Sequence, residues 1–391
     1  MIRSHRAGLW LVAYSFFVVM LGTTLTSPLY PIYQQRFGFS PLLITVIFAV
    51  YGVSVIAGLL LFGRMSDVIG RRWMLFPGVV LSGLSAIAIA TAAGLLPILV
   101  ARVLSGLSAA IFTGSATAAM LDLSPQDQRV RATTLAVAAN LGGLGAGQLL
   151  SGVLAQYAPH PLQLVFLVDL VLAVIASVAI VLTPETVQNR ERRWRFQRLT
   201  VPDSVRPNFV PAAISGFAGF AVFGGYGSTV PGFVARQLHL PNHALLGLLL
   251  FLLLGLSVVG QLMVTRLRAR VALPLGAAAL ILGAALLGLA VVLTAFWPLA
   301  LSVIVLGIAQ GLVIGSGLAG INQRAPREQR GEVASTYFIV LYVGLSVPVV
   351  AVGLATQALG PRPAELLLAG SAILVVGAVL LWLLLRPVPR D

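Results

Sequence analysis

Two ionisable side chains, Arg102 and Asp169, stand well inside long apolar runs of the chain. Each lies about seven residues into its run, roughly 10 Å deep if the run is a helix. A charge at that depth costs at least about 2.5–3.5 kcal/mol to insert in lipid, so the residue is a candidate for proton transfer, solute contact or a polar bond between helices. A denser group of charges is "GRMSDVIGRR" (63–72), with three arginines, Asp67 and a glycine near each end, in a chain only 9% charged. Gly63 and Gly70 permit a tight turn between close helix ends. Asp67 offers a carboxylate, and Arg71 and Arg72 offer planar forks of donors. Other chemistries lack their residues. Cysteine is absent, which removes disulfides and thiolate metal sites. Of the 4 histidines, His239 and His243 are spaced i, i+4, but Pro241 between them argues against a helical metal site. No nucleophile–base set or phosphate-cradling loop appears, so neither an enzyme nor a bound cofactor or metal is expected.

Elements that hold such charges must themselves be at home in hydrocarbon. The chain is 59% hydrophobic with a mean hydropathy of +1.00. Twelve apolar runs stand out: 9–33, 42–63, 73–93, 95–121, 131–156, 162–183, 209–233, 242–264, 271–293, 297–322, 331–357 and 362–386. Each is long enough to cross a core of about 30 Å, and without period-two alternation each is expected to be a helix. The run after "MIRSHRAG" is too long for the core of a signal peptide and is expected to be the first span.

The net charge of +14 comes entirely from arginine, with no lysine. With an even number of spans, 21 of the 25 basic residues fall on the side of the two termini. The positive-inside rule then predicts cytoplasmic termini, and it assigns the basic excess to topology and anionic lipid rather than to nucleic acid.

The chain also repeats itself. "PQDQR" (125–129) recurs as "PREQR" (326–330), and Gly106, Gly114 and Ser115 recur at the same offset as Gly307, Gly315 and Ser316. Pro31 and Arg36 recur as Pro231 and Arg236. Two six-helix halves, 1–183 and 209–391, joined by the polar and basic segment 184–208, account for this. Trp194, Phe196 and Leu199 allow part of the join to lie on the bilayer surface; a solvated linker is the alternative.

This all-α membrane architecture, two pseudo-symmetric six-helix bundles, resembles the major facilitator superfamily. Gly63, Met65, Ser66, Asp67, Gly70, Arg71 and Arg72 fill the signature that the family carries between its second and third helices. "RVLSGLSAA" (102–110) matches the family's arginine-then-glycine pattern in helix 4. "LGTTLTSPLYPIYQQRFG" (21–38) is similar to the helix 1 motif of the twelve-helix drug:proton antiporters. The resemblance implies a conformational latch, in which Asp67 meets the start of helix 11 and a basic residue of the motif meets an acid ending helix 4, here Asp122. It also implies a part in proton coupling for Arg102. Asp169 has no family motif behind it, so a coupling role, a helix-packing role and a pairing with Arg102 all stay open.

The chain departs from the antiporter pattern in helix 5. "GLGAGQLLSG" (143–152) keeps Gly143, Gly147 and Gly152, but Gln148 stands in place of proline and Ser151 in place of glycine. Small residues at 143, 147 and 151 still permit close packing. In the second half, Val264 stands where a second latch aspartate would be. Tyr30, Asn140, Gln148, Phe223, Tyr226, Gln310 and Tyr342 are the cavity candidates. An apolar lining with a few amides and phenols suits a small neutral or amphiphilic solute. The expected protein is a monomeric secondary transporter of a bacterial-type cytoplasmic membrane, with proton-coupled export ahead of uptake of a small metabolite and of a non-transporting sensor.

Overall fold

The computed structural model describes residues 5–187, 199–267, 269–326 and 329–385. Trp194 and Phe196 of the join, Arg268, and two residues of the second "P-x-x-Q-R" copy lie outside them. Among the described residues every regular element is a helix. In chain order they are α1 (His5–Thr24), α2 (Tyr30–Phe37), α3 (Pro41–Phe62), α4 (Met65–Ile69), α5 (Arg71–Ala90), α6 (Leu95–Asp122), α7 (Arg129–Tyr157), α8 (Pro161–Leu182), α9 (Arg206–Ser228), α10 (Val230–Arg236), α11 (His243–Val264), α12 (Ala269–Leu293), α13 (Phe296–Arg324), α14 (Arg330–Leu359) and α15 (Pro361–Leu385). Twelve stretches among them are long and apolar enough to span a membrane.

Ten of the expected spans are continuous helices. The first and seventh are broken. After Thr24 the chain runs through a 3-10 turn (Ser27–Leu29) before α2 begins. Pro28 and Pro31 lack the N–H groups that would continue the ladder, so the carbonyls before them need other donors. Thr229 separates α9 from α10, with Pro231 just beyond. The fifth span, where proline is missing from the antiporter pattern, is the unbroken α7.

Two compact units make up the chain. The first is Met1–Ser40, Ile47–Arg198 and Pro241–Leu254, and the second is Pro41–Val46, Leu199–Leu240 and Gly255–Asp391. The sequence repeat predicts one cut within 184–208; the units also exchange one end each of α3 and α11. Glycines explain both memberships. Gly247 of α11 meets the Gln148 carbonyl and Gly152 of α7 inside the first unit, and Gly353 of α14 meets Thr45 of α3 inside the second.

In the first unit α1 packs against α6, α7 and α8, and α5 against α6 and α8. The α1–α7 seam is a small-residue stripe. A Cβ on Gly143 would strike the Phe17 carbonyl, and one on Gly147 the Leu21 carbonyl. Ser151, one turn on, donates its hydroxyl to the Leu25 carbonyl at 2.6 Å. Small residues every fourth position thus meet carbonyls every fourth position, which lets the backbones touch. In the second unit α9 packs against α13, α14 and α15, and α12 against α13 and α15.

Candidate functional site

The arginine-then-glycine spacing of α6 explains how Arg102 is held. Gly106 has no Cβ, and one there would lie 2.6 Å from the Tyr51 carbonyl of α3. That approach lets Arg102, one turn earlier, reach α3 as well. Its Nε donates to the Ile47 carbonyl at 3.4 Å, and its guanidinium carbon sits 4.5 Å from the centre of the Tyr51 ring. Its Nη1 donates to the Thr23 carbonyl at 2.8 Å and to Thr26 Oγ1 at 3.4 Å. Thr23 is in the last turn of α1, whose carbonyls have no intrahelical partner. The side chain is 2% exposed, so it ties three helices together inside the unit.

Asp169 does not pair with Arg102. It is equally buried on α8, and its carboxylate lies against Gly22, where a Cβ would stand 2.8 Å from Oδ2. Its Oδ1 has no hydrogen-bond partner. The two charges address neighbouring residues of α1, Gly22 and Thr23, which project from the helix about 100° apart. Matched depth placed them on one level, but their helices approach α1 from different sides.

At the other end of the unit the 63–72 motif forms a charge cluster. Arg71 sits between two carboxylates, with Nη1 2.5 Å from Asp67 Oδ1 and Nε 3.3 Å from Asp122 Oδ2. It also donates to Ser66 Oγ at 2.6 Å, and Thr186 donates to Asp122 at 3.2 Å. Arg72 lies over the Trp73 ring at 5.7 Å. Gly63 closes α3 through its N–H to the Leu59 carbonyl. Gly70 carries φ of 107°, which glycine adopts without strain, and α5 starts directly after it.

The cluster contains an acid that sequence reasoning missed. Glu185, three residues past α8, takes the backbone N–H of Arg71 on Oε1 at 2.9 Å and that of Arg72 on Oε2 at 3.2 Å. It also takes the N–H groups of Thr186 and Val187, at 2.9 and 3.0 Å. Glu185 is therefore the N-terminal cap of α5, supplied from 114 residues away. The signal for it was an isolated Pro-Glu-Thr where an apolar run stops.

A family model described as the Major Facilitator Superfamily matches residues 12–347, most of the chain. The chain belongs to the major facilitator superfamily. That membership agrees with the twelve helical stretches of membrane-spanning length among the described residues. A protein named "putative multidrug resistance protein MdtD" in Escherichia fergusonii is 27% identical over 231 residues, 56% of this chain and 49% of that protein. One of the same name in Shigella boydii is 30% identical over 195 residues, 49% of this chain and 40% of its own length. The chain spans about half the length of the curated relatives it matches. Among solved structures, a bacterial homologue of the human lysosomal transporter Spinster, crystallised in an inward-facing and occupied conformation, aligns over 100% of both chains. Its TM-score is 0.76 at 13% identity. A mutant form of the nucleoside transporter NupG aligns over 96% of this chain and 99% of its own, with a TM-score of 0.73 at 14% identity. At such identities the likeness is one of fold.

The cavity candidates of this superfamily member fall into two kinds. Phe223, Gln310 and Tyr342 are half-buried and gather around Phe220 of α9. The Tyr342 ring meets the Phe220 ring edge-on at 5.9 Å, Phe223 lies 6.3 Å from it, and the Gln310 amide oxygen faces Gly219. Asn140 is half-buried on α7. Tyr30, Gln148 and Tyr226 are fully buried. Tyr226 is hydrogen-bonded to Ser302, whereas the Tyr30 hydroxyl and the Gln148 amide oxygen have no partner. A cavity of about 290 Å³ lined by Ile32, Arg36 and His160–Gln163 contains none of these residues.

A second correction concerns the inventory of buried charge. Glu365 of α15 is 3% exposed, so Arg102 and Asp169 are not alone. It sits three residues inside the predicted edge of the last span, where a carboxylate is read as interfacial.

Proposed function

We propose that this transporter exports small neutral or amphiphilic solutes by alternating access, driven by protons moving the other way. In this reading it is a monomer of a bacterial-type cytoplasmic membrane with both termini in the cytoplasm. The observation that carries the proposal is the seat of Arg102. A guanidinium bonded to carbonyls of α1 and α3 and stacked on Tyr51 senses any movement of those helices, and it sits beside the break in α1. Helix breaks in transporters are where backbone groups become available and where helices bend. Asp169, with one oxygen free, supplies a carboxyl group on the other side of α1. The 63–72 cluster with Asp122 is the latch that closes in one of the two states. Phe223, Gln310, Tyr342 and Asn140 are the solute contacts, and their aromatic and amide character suits an uncharged amphiphile. The curated relatives named for multidrug resistance agree with export.

Inverted vesicles with an imposed pH gradient, run against a panel of dyes and small metabolites, test this. Wild type should accumulate at least one amphiphilic dye when the interior is acid. Arg102→Ala should abolish that accumulation at normal abundance of folded protein, and Arg102→Lys should restore only part, because the fork of donors is lost. Gradient-driven movement in the opposite direction would establish uptake, and full activity in Arg102→Ala would remove Arg102 from the mechanism.

A further inference from the structure

The cavity of about 290 Å³ lies between the end of α2 and the start of α8. That is close to the lower end of small-molecule sites, about 300–1,000 Å³. Its apolar lining is Ile32, Pro161 and Leu162, and its polar groups are Arg36, His160 and Gln163. No acid is among them. With twelve spans, this end of the unit lies on the side away from the termini, and the links between spans on that side contain neither Asp nor Glu. Arg36, in the last turn of α2, has its guanidinium 5.6 Å from the centre of the Phe37 ring. It has no hydrogen bond or ion pair among the described residues.

The internal repeat supplies a comparison. At an offset of 200, Arg36 corresponds to Arg236, His160 to Gly360, Pro161 to Pro361 and Leu162 to Arg362. In the second unit both arginines are taken up by protein acceptors. Arg362 of α15 donates from Nε to Gln237, the residue after α10, at 3.2 Å and from Nη2 to Thr294 at 2.6 Å. Arg236 donates to the Gly232 carbonyl of its own helix at 3.4 Å. In the first unit Leu162 can make no such bridge, and the cation on α2 is left over beside an open cavity. The residue before the last helix is left-handed in both units, with φ of 89° at Gly360 and 49° at His160. Glycine adopts that backbone freely, whereas a histidine there is strained. The strain puts an imidazole at the cavity where the repeat has no side chain.

We propose that this cavity binds the phosphate group of an anionic phospholipid from the leaflet away from the termini. The Arg36 fork suits two phosphate oxygens at once, and His160 and Gln163 carry further N–H donors. Arg36 ends the first span and Pro161 begins the sixth, so the cavity lies at the level of the headgroups. From Gln163 the exposed Leu167, Val171, Val174 and Val178 continue one face of α8. That face runs about 22 Å, longer than one leaflet's share of a core of about 30 Å, and gives the acyl chain an unbroken apolar track. No acid lines the cavity to receive an ammonium group, so phosphatidylglycerol fits better than a zwitterionic lipid. The bound headgroup joins the half-helix beyond the break in α1 to the last helix of its unit, the tie that Arg362 makes in the second.

The test is native mass spectrometry of the full chain in detergent, titrated with phosphatidylglycerol or with phosphatidylcholine. Arginines on the side of the termini also attract anionic lipid, so the reading is the difference between variants. Wild type should hold an additional phosphatidylglycerol that Arg36→Gln loses, with that site weakened at least about tenfold. Arg236→Gln should match wild type, because its arginine is already taken up by its own helix. His160→Gly should weaken the same site about fivefold yet melt no lower than wild type, because glycine suits a φ of 49°. If Arg36→Gln melts lower than wild type, His160→Gly decides alone. Phosphatidylcholine counts should not differ between variants, and millimolar inorganic phosphate should leave the phosphatidylglycerol in place, since it has no chain to lie along α8. Equal phosphatidylglycerol counts in wild type and Arg36→Gln overturn the proposal, and so does an equal loss in Arg236→Gln, which would make the effect one of net charge. A phosphatidylcholine lost in Arg36→Gln would overturn the preference for an anionic lipid. Displacement by inorganic phosphate would overturn the lipid assignment in favour of a free anion.

Discussion

Replacing Glu185 tests whether a residue from the join holds the motif of 63–72 in place. Its carboxylate takes four backbone N–H groups, two of them from the first turn of α5. Losing an N-terminal cap costs about 0.5–2 kcal/mol, and losing a negative charge at a helix N-terminus about 0.3–1 kcal/mol. The site is part-buried, so water replaces some of the acceptors. Glu185→Ala should therefore lower stability by about 1–3 kcal/mol. Glu185→Gln keeps one acceptor oxygen and should lose about 1 kcal/mol. Equilibrium unfolding in mixed micelles reads both. Gly70→Ala adds a third arm, because its Cβ would run into the Glu185 carboxylate as well as straining a φ of 107°. Its cost in the wild type should exceed that in the Glu185→Ala background by at least about 0.5 kcal/mol. A glutamine variant as stable as the wild type would show that charge has no part. Strict additivity with Gly70→Ala would refute the contact.

Gly147→Ala should destabilise by at least about 1–3 kcal/mol, because its Cβ meets the Leu21 carbonyl of α1, while Gly142→Ala, with only the Phe17 ring 3.7 Å away, should stay near neutral in the same thermal assay. Asp169→Asn and Arg102→Gln share no partner, so their losses in detergent should add within about 0.5 kcal/mol; a double variant far more stable than that sum would bring the pair back. Asp67→Asn removes one of the two carboxylates on Arg71 and should shift the balance between transport states by about 1 kcal/mol. Cysteines placed in this cysteine-free chain would report the shift as altered labelling on the side away from the termini, and unchanged labelling would count against the latch.

The spans were legible because lipid leaves the backbone one solution over so long an apolar run, and the helix ends fall within a few residues of the hydropathy edges. The breaks at Thr24–Leu29 and Thr229 were not, although Pro28, Pro31 and Pro231 stand in plain view. A proline removes a donor, but whether the helix stops depends on who takes the freed carbonyls, and for the first break those groups come from α6 and α7. The same reason hid Glu185, whose partners lie 114 and 113 residues away. Glu365 was passed over because hydropathy fixes the edge of a span no better than the three residues that separate it from that edge. Depth along a helix is a one-dimensional quantity. It put Arg102 and Asp169 on one level, and only the rotation of each helix showed that they face different residues of α1.

The break in α1 has a consequence for how the protein is made. The Thr23 carbonyl waits for Arg102, 79 residues later in the chain, and the Leu25 carbonyl waits for Ser151, 126 residues later. At about 5–20 residues per second, the ribosome leaves the first span in the membrane without these donors for roughly 4–25 s. During that interval bare carbonyls lie in or beside hydrocarbon, where each costs several kcal/mol. The first helix therefore enters the bilayer as an incomplete part. Its final bend is set only when the fourth and fifth spans arrive, and a nascent chain stalled before Arg102 should hold its first span loosely enough to be extracted or degraded.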